Sequence, residues 1–229
     1  MRPVLLEAHF AIALALGVAG AAVAQAPGRV IGRVTILEKD KKASQDLSDA
    51  VLWLETAAGA MAEARTLDIA INDKVYAPRV VVAPIGSTVR FPNHDPFNHN
   101  VFSVSEPNAF DLGLFGRNEA RSHTFTGPGL VRVFCNVHPR MVAYVVLVGN
   151  RHHTQPANDG TFTIADVPPG RYKLHVWHER IPVVVIQDVV AGAGTAPVQV
   201  QLDARRYRWQ QHKNKTGKNY PTNAGRERY

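Results

Sequence analysis

The chain has 229 residues, a single cysteine, 17 glycines and 15 prolines, and a formal net charge of +7 from 26 Lys/Arg against 19 Asp/Glu. One cysteine excludes an intramolecular disulfide framework and any metal cluster that needs two thiolates. Residues 25–203 hold 17 basic and 17 acidic residues, while residues 204–229 hold eight basic residues and one acid, so the positive charge belongs to a tail and not to the body.

Residues 1–24 read as an export signal. Arg2 supplies a basic start, residues 10–23 are nearly all Ala, Leu, Val and Gly, and Ala22-Val23-Ala24 fits the small-residue cleavage rule. The apolar run is shorter than a membrane span, which makes the expected destination the periplasm. Beyond the signal, short Val/Ile/Thr runs punctuated by glycine and proline predict an all-β chain. Residues 30–37 and 50–54 are strand candidates separated by a charged loop. Residues 56–64 form a linker of small residues. Seven further strands are expected at 65–71, 80–83, 88–91, 101–104, 121–125, 130–135 and 142–148, with 106–120 as a long connection. That density suits a Greek-key sandwich.

Two stretches of this segment carry chemistry. One is Asn93-His94-Asp95-Pro96-Phe97-Asn98-His99-Asn100-Val101; the other is Cys135-Asn136-Val137-His138-Pro139-Arg140-Met141. Cys135, His138 and Met141 form C-x2-H-x2-M, which a strand, a tight turn and the next strand can turn toward one point. His99 is placed to add a fourth group from its own loop. One thiolate, two imidazoles and a thioether make the ligand set of a blue-copper electron-transfer site, with the thioether as weak axial ligand. In an oxidising compartment a lone thiol is a liability unless it is buried or ligated. His94 reads as a loop residue, and His123, His152, His153, His175, His178 and His212 are read as packing or surface histidines.

These motifs, with the lead-in Val75-Tyr76-Ala77-Pro78, resemble the cupredoxins of the amicyanin and plastocyanin type over about residues 62–149. The short C-x2-H-x2-M loop resembles amicyanin more. The resemblance implies one copper, cycling between Cu(II) and Cu(I), held by His99, Cys135, His138 and Met141. It also implies a soluble one-electron carrier rather than an enzyme. Multicopper oxidases flank their thiolate ligand with histidines, where this chain has Phe134 and Asn136. Asn93 and Asn100 are expected to support the ligands, with Asn100 locking the two loops together near the thiolate. The edge of His138 would be the electron route. Pro139 and Met141 would form a partly apolar docking rim, to which Arg140 adds one positive charge. Copper storage or delivery, or a copper-dependent binding role, is the alternative.

Farther along, Asp159-Gly160-Thr161-Phe162-Thr163-Ile164 and Val167-Pro168-Pro169-Gly170-Arg171-Tyr172-Lys173-Leu174 give strand, tight turn, strand. This pattern resembles the carboxypeptidase regulatory-like domain, a small transthyretin-like β-sandwich. Strands of that family's upstream type, Gly32-Arg33-Val34 and Asp49-Ala50-Val51-Leu52, stand before the metal segment. Residues 150–203 alone are too few to bury a core, so residues 28–57 and 150–203 are expected to form one discontinuous domain with residues 62–149 inserted. A tandem arrangement, with 28–57 added to the metal domain, is the alternative. The combination resembles proteins labelled methylamine utilization proteins. The label implies a dehydrogenase as redox partner, and a cytochrome would serve equally. Tail residues 204–229 read as a solvated basic extension, a candidate contact for an acidic partner or an anionic membrane surface, although Tyr207, Trp209, Tyr220 and Tyr229 also fit a segment that packs back across the body. No nucleic acid is expected as partner.

Overall fold

The computed structural model describes residues 28–39, 44, 47–55, 61–192 and 194–221. The expected export signal, most of the small-residue linker and the last eight tail residues lie outside these. Among the described residues the chain forms seventeen strands and no helix. Two come first, β1 (Gly28–Leu37) and β2 (Val51–Glu55). The central segment holds β3 (Thr66–Asp68), β4 (Ala70–Asn72), β5 (Val75–Ala77), β6 (Val80–Pro84), β7 (Thr88–Pro92), β8 (His99–Ser103), β9 (Phe110–Phe115), β10 (Ala120–Thr124), β11 (Gly129–Cys135) and β12 (Val142–Val148). The last are β13 (His153–Thr154), β14 (Thr161–Val167), β15 (Gly170–Trp177), β16 (Val185–Ala191) and β17 (Val198–Asp203).

The central strands make two sheets, β10-β7-β3 and β6-β12-β11-β8-β9, with β4-β5 as a separate ribbon. The flanking strands make two others, β14-β1-β17 and β13-β2-β15-β16. Strands from before and after the central segment therefore pair directly: β1 runs antiparallel to β14 and parallel to β17, and β2 lies between β13 and β15. Each pair of sheets encloses its own apolar core. Val34, Ile36, Leu52, Phe162, Ile164 and Leu174 fill the flanking sandwich; Ile71, Phe91, Val101, Phe125, Val133 and Val145 fill the central one.

The run Val142–Val148 lacks the apolar–polar alternation of a half-solvated strand, and its surroundings explain why. Ala143, Val145 and Leu147 face the central core, while Val146 and Val148 face outward onto Val51 and Trp177 of the flanking sandwich. Beside it β6 divides in the same way, with Val81 and Ala83 inward and Val80 and Val82 outward. Strands buried on both faces need apolar residues at every position. At the rim of this contact the Arg79 guanidinium grips Glu179 in two hydrogen bonds of 2.7 and 2.9 Å.

The central sandwich departs from the expected strands in two places. Residues 65–71 are not one strand: β3 pairs with β7, β4 pairs with β5, and the chain changes partner at the fully buried Ile69. The expected long connection contains β9, which pairs with β8. A bulge between Asn100 and Phe102 absorbs an extra residue of β9 near Gly113, whose φ is +71°. It turns Phe115 inward and leaves Leu114 exposed, so the strand does not show simple alternation. In the flanking sandwich the Asp159-Gly160 turn falls where expected. Gly160 has φ +85°, and a Cβ there would meet the Val34 carbonyl at 2.1 Å, so only glycine fits.

Candidate metal centre

β8 begins with His99 and β11 ends with Cys135, and the two strands pair antiparallel with Val101 opposite Cys135. Antiparallel pairing puts the start of one strand beside the end of the other. His99 and Cys135, 36 positions apart in sequence, thus meet at one end of the sheet. The chain then turns sharply, with the Met141 N–H donating to the His138 carbonyl at 3.1 Å, and enters β12 at the next residue. That turn returns His138 to the same point. Met141 is buried in the central core alongside Cys135.

His99 Nδ1, His138 Nδ1 and Cys135 Sγ converge. The sulfur is 3.6 Å from the first nitrogen and 3.7 Å from the second, and the nitrogens are 3.2 Å apart. Among the described residues these form one group of metal-ligating type, and all three are buried. The centre of such a triangle is roughly 2 Å from each corner, the length of a bond from a first-row metal to imidazole nitrogen or thiolate. Three electron-pair donors aimed at one point suit a cation, and the soft sulfur selects copper or zinc over harder ions.

Protonation favours the same use. Burial, with His99 and Lys74 nearby, pushes the His138 pKa down to about 4, so its ring is neutral at neutral pH. Asp95 Oδ2 lies 2.9 Å from His99 Nε2, the nitrogen away from the sulfur. A carboxylate there accepts the Nε2–H and leaves the Nδ1 lone pair facing Cys135. Burial alone would raise the Asp95 pKa. The N–H groups of Lys74 and Asp73, together with His99, outweigh it and hold the carboxyl below its ordinary value. Asp95 carried no signal of its own in sequence beyond standing four residues before His99.

Asn93 is fully buried and builds the loop: its Oδ1 accepts from the Asp95 N–H at 2.9 Å and its Nδ2 donates to the Phe97 carbonyl at 3.0 Å. Asn100 links the ligand loops differently from expectation. Its backbone carbonyl accepts the Asn136 N–H at 2.9 Å, while its side-chain Nδ2 donates to Asp111 Oδ1 at 2.6 Å, away from the thiolate. The N–H that reaches the sulfur is that of Val137, at 3.4 Å. Asp111 stands on β9, the strand read as a loop in sequence, which is why its role was not legible there.

The expected docking rim needs correction. His138 is only 3% exposed, Met141 1%, and Pro139 is buried as well; Arg140 alone of this group is exposed. The Phe97 ring lies 5.6 Å from His138, and the described part of the tail lies against the loop. Although most of its residues are exposed, the described part of the tail packs back across the body, as its aromatic residues allowed. His212 stacks on Phe134 with centroids 4.4 Å apart, the Tyr220 hydroxyl donates to the Cys135 carbonyl at 2.7 Å, and Arg140 sits 5.3 Å over the Trp209 ring. The other histidines stay apart from the centre. His94 is exposed, His175 stacks on Trp53, and His178 is buried near the contact between the sandwiches.

Against solved structures the likeness is to cupredoxin folds, local and low in identity. A reduced proline-to-phenylalanine variant of amicyanin is 28% identical over 41% of this chain and 87% of its own, with a TM-score of 0.33. A purple cupredoxin from Nitrosopumilus maritimus is 23% identical over 38% of this chain and 100% of its own, with a TM-score of 0.32. A copper-containing nitrite reductase from Thermus scotoductus SA-01 is 24% identical over 42% of this chain, with a TM-score of 0.35; the match spans only 25% of that enzyme. No protein-family model and no curated protein matches the sequence.

Proposed function

We propose that the protein is an exported, periplasmic type 1 copper protein that carries single electrons between redox proteins. The observation that carries this reading is the buried triangle of His99 Nδ1, His138 Nδ1 and Cys135 Sγ. His99, Cys135, His138 and Met141 would hold the ion through two imidazole nitrogens, a thiolate and a thioether. Copper, when bound, supplies a one-electron couple between Cu(II) and Cu(I). The protein's contribution is rigidity. Asp95 fixes one imidazole, the Val137 N–H holds the sulfur, and paired strands set the separation of the two ligand loops. A site that does not rearrange keeps electron exchange fast. The burial of all three donors favours retention of the metal over ready delivery.

The sheet pairings support reading the central segment as an insertion within a small regulatory-like sandwich built from residues 28–57 and 150–203. The partner on this reading is a dehydrogenase or a cytochrome met transiently. The deciding experiment is the absorption spectrum of protein loaded with Cu(II). An intense thiolate-to-copper charge-transfer band is expected and should vanish in Cys135→Ser. Stoichiometric copper binding that survives Cys135→Ser unchanged would move the site elsewhere.

A further inference from the structure

The tail crosses the ligand loop and joins a closed ring of hydrogen bonds. The Lys215 N–H donates to Asn136 Oδ1 at 3.0 Å, and the Asn136 N–H donates to the Asn100 carbonyl. Asn100 Nδ2 donates to Asp111 Oδ1, and Asp111 Oδ2 pairs with the Lys215 ammonium. Asn100 follows His99 and Asn136 follows Cys135, so the ring ties the tail to both ligand-bearing strands at once. Five residues on, Tyr220 donates to the Cys135 carbonyl at 2.7 Å. From inside the sandwich, Tyr76 donates to the preceding carbonyl, that of Phe134, at 3.2 Å. Two phenols thus hold successive peptide groups at the sulfur-bearing residue. His212 completes the cover on Phe134; burial lowers its pKa despite the carbonyls of Lys213, His138 and Met141 that face the ring.

Strand pairing places Cys135 but stops there, since β11 ends at that residue and β12 begins at Val142. Residues 136–141 keep three backbone bonds inside the sandwich, from Asn136 to the Asn100 carbonyl, from Val137 to Cys135 Sγ and from Met141 to the His138 carbonyl. The tail adds bonds from outside it, to the Asn136 side chain and the Cys135 carbonyl. We propose that the C-terminal segment is a structural part of the metal centre. In it Tyr220 and Lys215 are positioning residues that hold the Cys135 loop and the His99 strand at metal-binding separation before an ion arrives. The spectroscopic part of this inference rests on the copper reading above; the part concerning the loop does not.

The test uses the full chain in its metal-free form and exploits the single cysteine. Dithionitrobenzoate reacts with the Cys135 thiolate, which attacks one sulfur of the reagent and releases one thionitrobenzoate anion per thiol, so the rate reports access to that one sulfur. Tyr220→Phe and Lys215→Met should each raise the rate roughly three- to tenfold, the factor expected when one hydrogen bond that closes the loop is lost. Lys215→Arg should restore the slow rate. Lys218→Met, a change at a tail lysine whose backbone N–H donates to Asn214 Oδ1 and whose carbonyl accepts the Asn214 N–H, should leave it unaltered. In copper-loaded protein Tyr220→Phe should shift the charge-transfer band. Rates equal to the parent in both Tyr220→Phe and Lys215→Met would overturn the proposal. A parent that develops no band with copper would overturn the copper reading alone, and the thiol rates would still decide the role of the tail.

Discussion

The carboxylate of Asp95 and the imidazole of His99 meet at 2.9 Å on the side of the ring away from Cys135. The same carboxylate accepts the N–H groups of Asp73 and Lys74, at 2.6 and 2.9 Å, in the turn between β4 and β5. One side chain therefore ties a remote turn to the orientation of a candidate metal ligand. Asp95→Asn keeps the shape but offers Nε2 a donor as readily as an acceptor, which permits the tautomer with a proton on Nδ1. Copper affinity should fall about 10- to 100-fold, the usual cost of losing such an outer partner. Competition against a chelator of known affinity measures it. An unchanged affinity would confine Asp95 to the turn.

Glu179 and Arg79 join the two sandwiches at a largely buried pair, and their contribution is pH-dependent. Burial alone would raise the Glu179 pKa, but the hydrogen bonds and charge of Arg79 bring it below the ordinary carboxylate value. A carboxylate whose folded pKa is depressed stabilises the fold at pH above its unfolded value, near 4.3 for Glu, and loses that contribution as pH falls through the folded pKa. Glu179→Gln should cost about 1–3 kcal/mol at neutral pH. The difference from the parent should shrink at about pH 3, below the unfolded value. Urea unfolding of both proteins at the two pH values checks this, and a difference independent of pH would assign the loss to packing.

Arg140 is the exposed member of the ligand loop, with its guanidinium over Trp209. A charge at that place steers approach more than it strengthens contact. Arg140→Glu should slow oxidation of the Cu(I) protein by ferricyanide up to about tenfold at low ionic strength. The gap should narrow as salt is added, and the copper spectrum should not change. An unaltered rate would place electron exit away from the Cys135–Met141 loop.

The spacing of Cys135, His138 and Met141 is local, and a strand followed by a tight turn can place those three in only a few ways. The alternation of Phe162 and Ile164, bracketed by Asp159-Gly160 and Pro168-Pro169-Gly170, likewise needs no distant partner to be read as a hairpin. The strand Phe110–Phe115 was hidden because its bulge at Gly113 breaks the period of two. The cover on the ligand loop was hidden for a different reason. Pro139 and Met141 look like a surface rim when their neighbours are unknown, and a basic tail looks solvated when judged by charge.

Sequence alone determined which donor atoms the chain offers and that its elements are strands, because both follow from residue type and short-range spacing. Tertiary structure alone decided what surrounds those atoms. Lys215 meets Asp111 across 104 positions and Tyr220 meets Cys135 across 85. At such separations spacing carries no geometric information, and contact depends on where the sheets place each backbone. Lys215 of the tail therefore pairs with an acid on β9, and Tyr220 and His212 lie against the end of the strand that bears the thiol.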